Sequence, residues 1–322
     1  CAAVTSGGGD PPTYGQPAGS TKLGGGTMRL EAENAYTGNT ILAAGTLALG
    51  HSVALGTVGK VIFTGGTLQF SPANANDYSA RFTDAANQQF RFDTNGRSVN
   101  LGTVIASDGG SLVKSGEGTL KLSAINTYTG GTTVHGGTLE LASGGPAGAI
   151  RGNLTVESGT TLLLTATNGL GYTAGQKVNN ITVTHGSISV PESASSTLDQ
   201  GWGIAYTLNG ATLSSNGGTS STTAPSKFAL GGPAGEPSSI HVTENSTIAG
   251  RIDLRTQHGN PGTDFTVDPG ADLLITAGIT SDGITGTGIF RKLGEGSLTM
   301  TGNGIYTGAT EVAAGTLRAG AA

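Results

Sequence analysis

The chain has 322 residues, 57 of them glycine, with 11% charged and 5% aromatic side chains and a net charge of -5. That length is ample for a hydrophobic core and ordinarily holds about one to three domains. The acidic balance leaves no footprint for nucleic acid, there is no collagen triplet or charge block, and no apolar run is long enough to cross a bilayer as a helix.

Residues 1–21 read as a Gly/Pro/Ser-rich N-terminal arm or linker that opens Cys1-Ala2-Ala3-Val4. Cys1 is the only cysteine, so no internal disulfide is expected. A first cysteine followed by a flexible tether resembles a mature bacterial lipoprotein, which makes Cys1 the candidate lipidation site and lipid anchor to an outer membrane. From residue 22 to residue 322 the sequence reads as a single β-helix domain.

Within it one passage is written three times without a gap, at residues 22–49, 114–141 and 292–319. Each copy starts at a lysine (Lys22, Lys114, Lys292) and runs into a strand signal: Thr27-Leu30, Thr119-Leu122, Ser297-Met300. A turn follows, around Tyr36, Tyr128 or Tyr306. A second strand, a glycine corner and a third strand complete the copy. Side chains alternate faces along a strand, so one parity is buried. Four apolar columns are expected: Met28, Leu120 and Leu298; Leu30, Leu122 and Met300; Leu42, Val134 and Val312; Leu47, Leu139 and Leu317. The alternate positions (Arg29, Lys121 and Thr299, or Ile41, Thr133 and Glu311) mostly tolerate water. Glycine serves at the corners because positive φ costs it nothing. Three short strands with glycine corners, wound repeatedly, predict an all-β chain: a right-handed, three-sided parallel β-helix. Internal repetition of this kind marks a stacked array of about a dozen coils at roughly twenty to twenty-five residues each.

Between the copies the strand signals continue. Val61-Ile62-Phe63 and Thr67-Leu68-Gln69-Phe70 flank Gly65-Gly66. Residues 71–92 are the least strand-like stretch, and rungs with a longer loop are expected there. Rung pairs follow at Leu154-Val156 with Leu162-Leu164 and at Ile181-Val183 with Ile188-Val190. Trp202, Ile204, Tyr206 and Leu208 alternate on one face and read as core. Residues 214–226 read as a surface loop, before strands resume near Ile240, Ile248, Phe265 and Leu273.

No catalytic constellation emerges. The histidines (His51, His135, His185, His241, His258) form no metal-type spacing, the nucleophile elbow is missing, and Gly24-Gly25-Gly26 lacks the rest of a phosphate loop. Asp264, Asp268 and Asp272 recur every fourth residue but through a Pro-Gly turn, so they read as solvated. Arg251, Asp253 and Arg255 share one strand face and are the surface-binding candidates, as an exposed ion ladder that would be worth little energetically. No cofactor and no metal site are expected.

The pattern Lys-x-Gly-x-Gly-Thr-Leu-x-Leu, Asn-x-Tyr-Thr-Gly, Gly-Thr-Leu-x-Leu, carried most fully by residues 114–141, resembles the passenger-associated strand repeat of bacterial autotransporters. The first copy departs at Met28, and the third has Gly304 in place of the asparagine. The resemblance implies a right-handed β-helix exported to the extracellular face of the outer membrane, with the repeat as scaffold. Its scaffold positions here are Leu30, Leu42, Leu47 and Tyr36; Leu122, Val134, Leu139 and Tyr128; and Met300, Val312, Leu317 and Tyr306. The expected function is a non-enzymatic stalk or fibre subunit whose partners are copies of itself, stacked head to tail. An adhesin that binds surface glycans is the alternative, and a polysaccharide lyase or hydrolase on the same fold comes third.

Overall fold

The computed structural model describes residues 18–191, 198–200, 203–215, 226–231, 237–255, 262–276, 279–280, 288–301, 304 and 306–320. Cys1 and the arm as far as residue 17, Trp202, His258 and most of the 214–226 stretch lie outside the described residues. The chain forms two compact units, residues 1–139 and 140–322. In each unit the ladders named below are parallel and join successive coils, which makes a β-solenoid.

In the first unit, one ladder is Ser20–Lys22, Thr40–Leu42 and Val61–Phe63. Among the described residues the first strand therefore begins at Ser20, inside the stretch read as a linker. A second ladder runs Thr27–Leu30, Thr46–Leu49, Thr67–Gln69, Gln89–Asp93, Ser111–Ser115 and Thr132–Val134. A third holds Arg97–Leu101 and Gly118–Leu122.

The registers redraw the expected columns. Met28 lies opposite Leu47, and Leu30 opposite Leu49. The first and fourth predicted columns are thus one column, because the first and third strands of a copy are successive rungs of one side. The repeat is a pair of stacked corners rather than a single coil. Onward from Leu47 the column continues through Leu68, Phe92, Lys114 and Val134.

The first copy is also one side out of phase with the second. Its glycine corners join the first ladder to the second, whereas those of residues 114–141 join the second to the third. Residues 71–88 make the change. They contain a Ser71–Asn74 bridge, a single 3-10 turn at Ser79–Arg81, and a parallel bridge from Val61 to Phe82. The Arg81 guanidinium fastens this stretch to the coil beneath, donating to the carbonyls of Gly59 (2.6 Å), Gly56 (3.0 Å) and Leu55 (2.8 Å). Phe82 enters the core against Phe63 (5.2 Å, edge-on) and Phe92 (5.6 Å, stacked). Aromatic side chains interleaved with arginine thus mark where the winding skips a side.

In the second unit, one ladder runs Gly152–Val156, Val178–Thr184, Ala205–Asn209, Ser239–Val242, Gly262–Val267, Ile289–Leu293 and Thr310–Val312. Another runs Thr161–Leu164, Ser187–Val190, Thr212–Ser215, Ser246–Ala249, Asp272–Ile275, Ser297–Met300 and Thr316–Ala319. A third joins Leu198–Gln200, Ser226–Leu230, Ile252–Leu254 and Ile279–Thr280. The coils there are three-sided, as expected. One buried column reads Leu154, Ile181, Tyr206, Ile240, Phe265 and then Lys292.

Each buried Leu, Val or Phe of such a column stabilises the stack by about 1.5–3 kcal/mol. Phe63 is fully buried and touches Phe82, Phe90 and Phe92. Phe63→Ala should therefore destabilise the first unit by about 3–5 kcal/mol, read as a lowered urea midpoint for the loss of its β signal.

Candidate functional site

The repeated feature with the most unusual chemistry is the lysine that heads each copy. Lys114 and Lys292 are completely buried and Lys22 is 4% exposed, each in a column of apolar side chains. Lys22 is stacked on Leu42, Lys114 on Val134 and Lys292 on Val312. An ammonium has three donors and no acceptor, and in every copy three backbone carbonyls meet it. Lys22 Nζ donates to Leu23 O (2.9 Å), Gly24 O (2.7 Å) and Ala44 O (3.1 Å). Lys114 Nζ donates to Ser115 O (2.9 Å), Gly116 O (2.6 Å) and Gly136 O (2.7 Å). Lys292 Nζ donates to Leu293 O (2.8 Å), Gly294 O (2.6 Å) and Ala314 O (3.2 Å). Two carbonyls belong to the lysine's own corner. The third comes from the corner of the next coil, 22 residues on in each copy.

The corner above leaves room for this arrangement. Gly45, Gly137 and Gly315 have φ of +64°, +62° and +69°. A Cβ at any of them would lie 2.4 Å from a carbonyl of the corner below: Gly26, Gly118 and Gly296 respectively. Only glycine fits, on both backbone and steric grounds. Burial pulls the Lys114 ammonium down to about 8, against the Asp93 and Glu117 carboxylates, which hold the proton on. Lys292 is lowered for the same reason, with Glu295 opposing. At neutral pH the Lys114 charge is retained.

A second contact is also written three times. The tyrosine hydroxyl of each turn bonds the threonine four residues on: Tyr36 to Thr40 (2.7 Å), Tyr128 to Thr132 (2.7 Å) and Tyr306 to Thr310. Burial pushes the Tyr128 hydroxyl far up, and the Thr132 bond only partly offsets it. The asparagine of the turn adds main-chain bonds. Asn126 Oδ1 accepts from the Ile105 N–H (2.8 Å), and Asn34 Nδ2 donates to Ala54 O (2.9 Å) on the next coil. Gly304 has no side chain to do either.

Of the remaining scaffold positions, Leu30, Leu42, Leu47, Leu122, Val134, Leu139 and Tyr128 are buried. Tyr36, Met300, Leu317 and Tyr306 are half-buried. Val312, in the last described strand of its ladder, is 50% exposed.

Arg251, Asp253 and Arg255 require a further correction. Asp253 is fully buried and Arg255 9% exposed, so no surface ion ladder exists there. Asp253 Oδ2 accepts from Lys227 Nζ at 2.6 Å and from Arg255 Nη2 at 3.3 Å. Inward and outward positions do not alternate there, since all three residues of Ile252–Leu254 are buried. Arg251 is half-buried, its N–H on Ser215 Oγ (2.7 Å). The three aspartates do not converge: Asp264 pairs with Arg291 (2.6 Å) and Asp268 with His241 (2.9 Å). Among the described residues, no group of three or more His, Cys, Asp or Glu side chains is placed to hold a metal ion. A shallow depression is lined by His185, Gly210, Thr243, Glu244, Asn245 and Pro269. Its carboxylate is already taken by His185 (3.1 Å).

The lysines were visible in the sequence as the first residue of each copy. Their burial was not, because a lysine at a strand end normally reads as solvated. The signal is parity: each shares the inward phase of its strand.

Two measurements test these clusters. Asp253→Ala leaves two buried cations facing each other and should destabilise the second unit by about 3–5 kcal/mol, read from urea unfolding. Between pH 8 and the ordinary lysine value, the unfolded chain holds a proton that folded Lys114 has released. Stability of the first unit should therefore rise with pH in that window, and Lys114→Met should flatten the rise.

Residues 21–49, 112–141 and 290–319 match the passenger-associated-transport-repeat family. The chain is 29% identical over 351 aligned positions to the adhesin BmaC autotransporter of Brucella suis biovar 1 (strain 1330). That alignment covers 94% of this chain and 10% of the relative, so the chain spans about a tenth of the length of the curated protein it matches. No solved structure matches it. The chain thus carries three passenger-associated transport repeats, stacked as paired corners of a parallel β-solenoid, and is similar along nearly its whole length to part of an autotransporter adhesin.

Proposed function

We propose that this chain is part of a surface-exposed adhesin passenger, working outside the cell as a non-enzymatic scaffold that presents binding surface. The observation that carries this reading is its similarity to an adhesin autotransporter across 94% of the chain. The architecture agrees with it. The repeat residues are spent on holding corners together, and the outward parity is left for contact. In the second unit, Thr155, Thr182, Thr207, His241 and Thr266 stand in one outward ladder, a hydroxyl-rich strip suited to hydrogen-bonding a polar partner such as a glycan. The polar depression around His185 and Glu244 lies in the same unit.

Antibody raised against this chain should label intact bacteria that produce the passenger, and its Fab should lower their adherence to host cells or matrix. Unlabelled cells would sink the location. Full adherence under saturating Fab would sink the adhesin reading.

A further inference from the structure

We propose that Lys22, Lys114 and Lys292 are register locks: buried charges that permit the two corners of each repeat to stack in one alignment only. The proposal does not depend on the adhesin reading.

A solenoid of short rungs has an alignment problem. Its columns are interchangeable, since Leu154, Ile181, Tyr206, Ile240 and Phe265 follow one another in a single stack. Rungs are also short, and a coil that skips or slides against its neighbour still buries an apolar side chain of similar size. Apolar burial is non-directional, so it rewards a wrong pairing nearly as well as the right one. A buried ammonium does not. It is expensive unless each of its protons meets an acceptor, and here only two of the three acceptors are local. Ser115 O and Gly116 O travel with Lys114 in any pairing. Gly136 O reaches it only when Thr132–Val134 pairs with Leu112–Lys114 in the native register. The same division holds for Ala44 O at Lys22 and Ala314 O at Lys292.

The opposing corner adds a steric condition. Gly45, Gly137 and Gly315 sit where any side chain would meet the carbonyls below, and a Cβ on Gly45 would also come within 2.7 Å of Lys22 Nζ. Only a corner with glycine at that position can close over the ammonium. Lysine and glycine corner therefore recognise each other within one copy. A single buried polar group that fixes alignment at some expense in stability is a known use of such groups.

The test traps the register. Val113 and Thr133 are direct partners on the outward parity of neighbouring rungs. With Cys1→Ser, Val113→Cys and Thr133→Cys, refolding under oxidising conditions should give near-complete cross-linking, since adjacent strands lie within disulfide reach. Adding Lys114→Met keeps the volume and removes the charge. The chain should keep its β-sheet circular dichroism, while the cross-linked fraction falls about fivefold relative to uncross-linked material, the scale of one lost hydrogen bond. Equal cross-linking with and without the lysine overturns the proposal. Should Lys114→Met fail to fold, Lys292→Met with cysteines at the partnered Arg291 and Glu311 decides by the same yield. Loss of β structure in both variants also overturns it, because the lysines would then be plain stabilising groups.

Discussion

Two carbonyls from one corner and one from the next, gathered on a single ammonium, are what turn neighbouring coils of a repeat into one unit. Everything else in the repeat is arranged so that this contact can form. The glycine above has no side chain because the space belongs to the carbonyls and the lysine tip. The apolar residues on either side exclude water, which makes the bonds strong and a missing acceptor expensive. The tyrosine and asparagine of the turn hold the far side of the coil at the right height for the corners to meet. The lysine, its glycine corner and the tyrosine–threonine pair recur in all three copies, while the asparagine is absent from the third, where Gly304 stands.

Much of the fold was legible. Parity along short strands gave the buried side chains, and glycine spacing gave the corners, because both follow from backbone geometry and need no knowledge of partners. Leu42, Leu122, Val134 and Leu139 were read correctly on that basis alone. What stayed hidden was which rung faces which. Gapless alignment of the copies paired Met28 with Leu120 and Leu298, as though equivalent residues must share a column. In the protein Met28 faces Leu47, its own copy's later strand. Sequence similarity reports common chemistry, whereas a column reports neighbourhood along the winding. Residues 71–88 stood out as the least strand-like stretch, but their local pattern does not say which side the winding skips.

The Arg251, Asp253 and Arg255 error has a different origin. Period-two patterning assumes that one face of a strand is wet. Ile252–Leu254 is enclosed on both faces, so its charges are forced to find each other and Lys227 instead of water. Lys114 is the same lesson in reverse: a cation in the inward phase is a signal, provided the reader trusts the phase over the residue type.

Coil length varies widely while the corner geometry persists. Among the described residues, hydrogen bonds between neighbouring coils span as few as 19 residues, from Gln88 to Ser107, and as many as 36, from Arg251 to Ser215. Closing a longer loop costs only about 0.6 kcal/mol per doubling, far less than one buried column residue contributes. Extra chain can therefore accumulate on one flank of a coil without disturbing the stack behind it. That makes the solenoid a carrier on which new surface can evolve by insertion, leaving the paired corners to keep the windings in order.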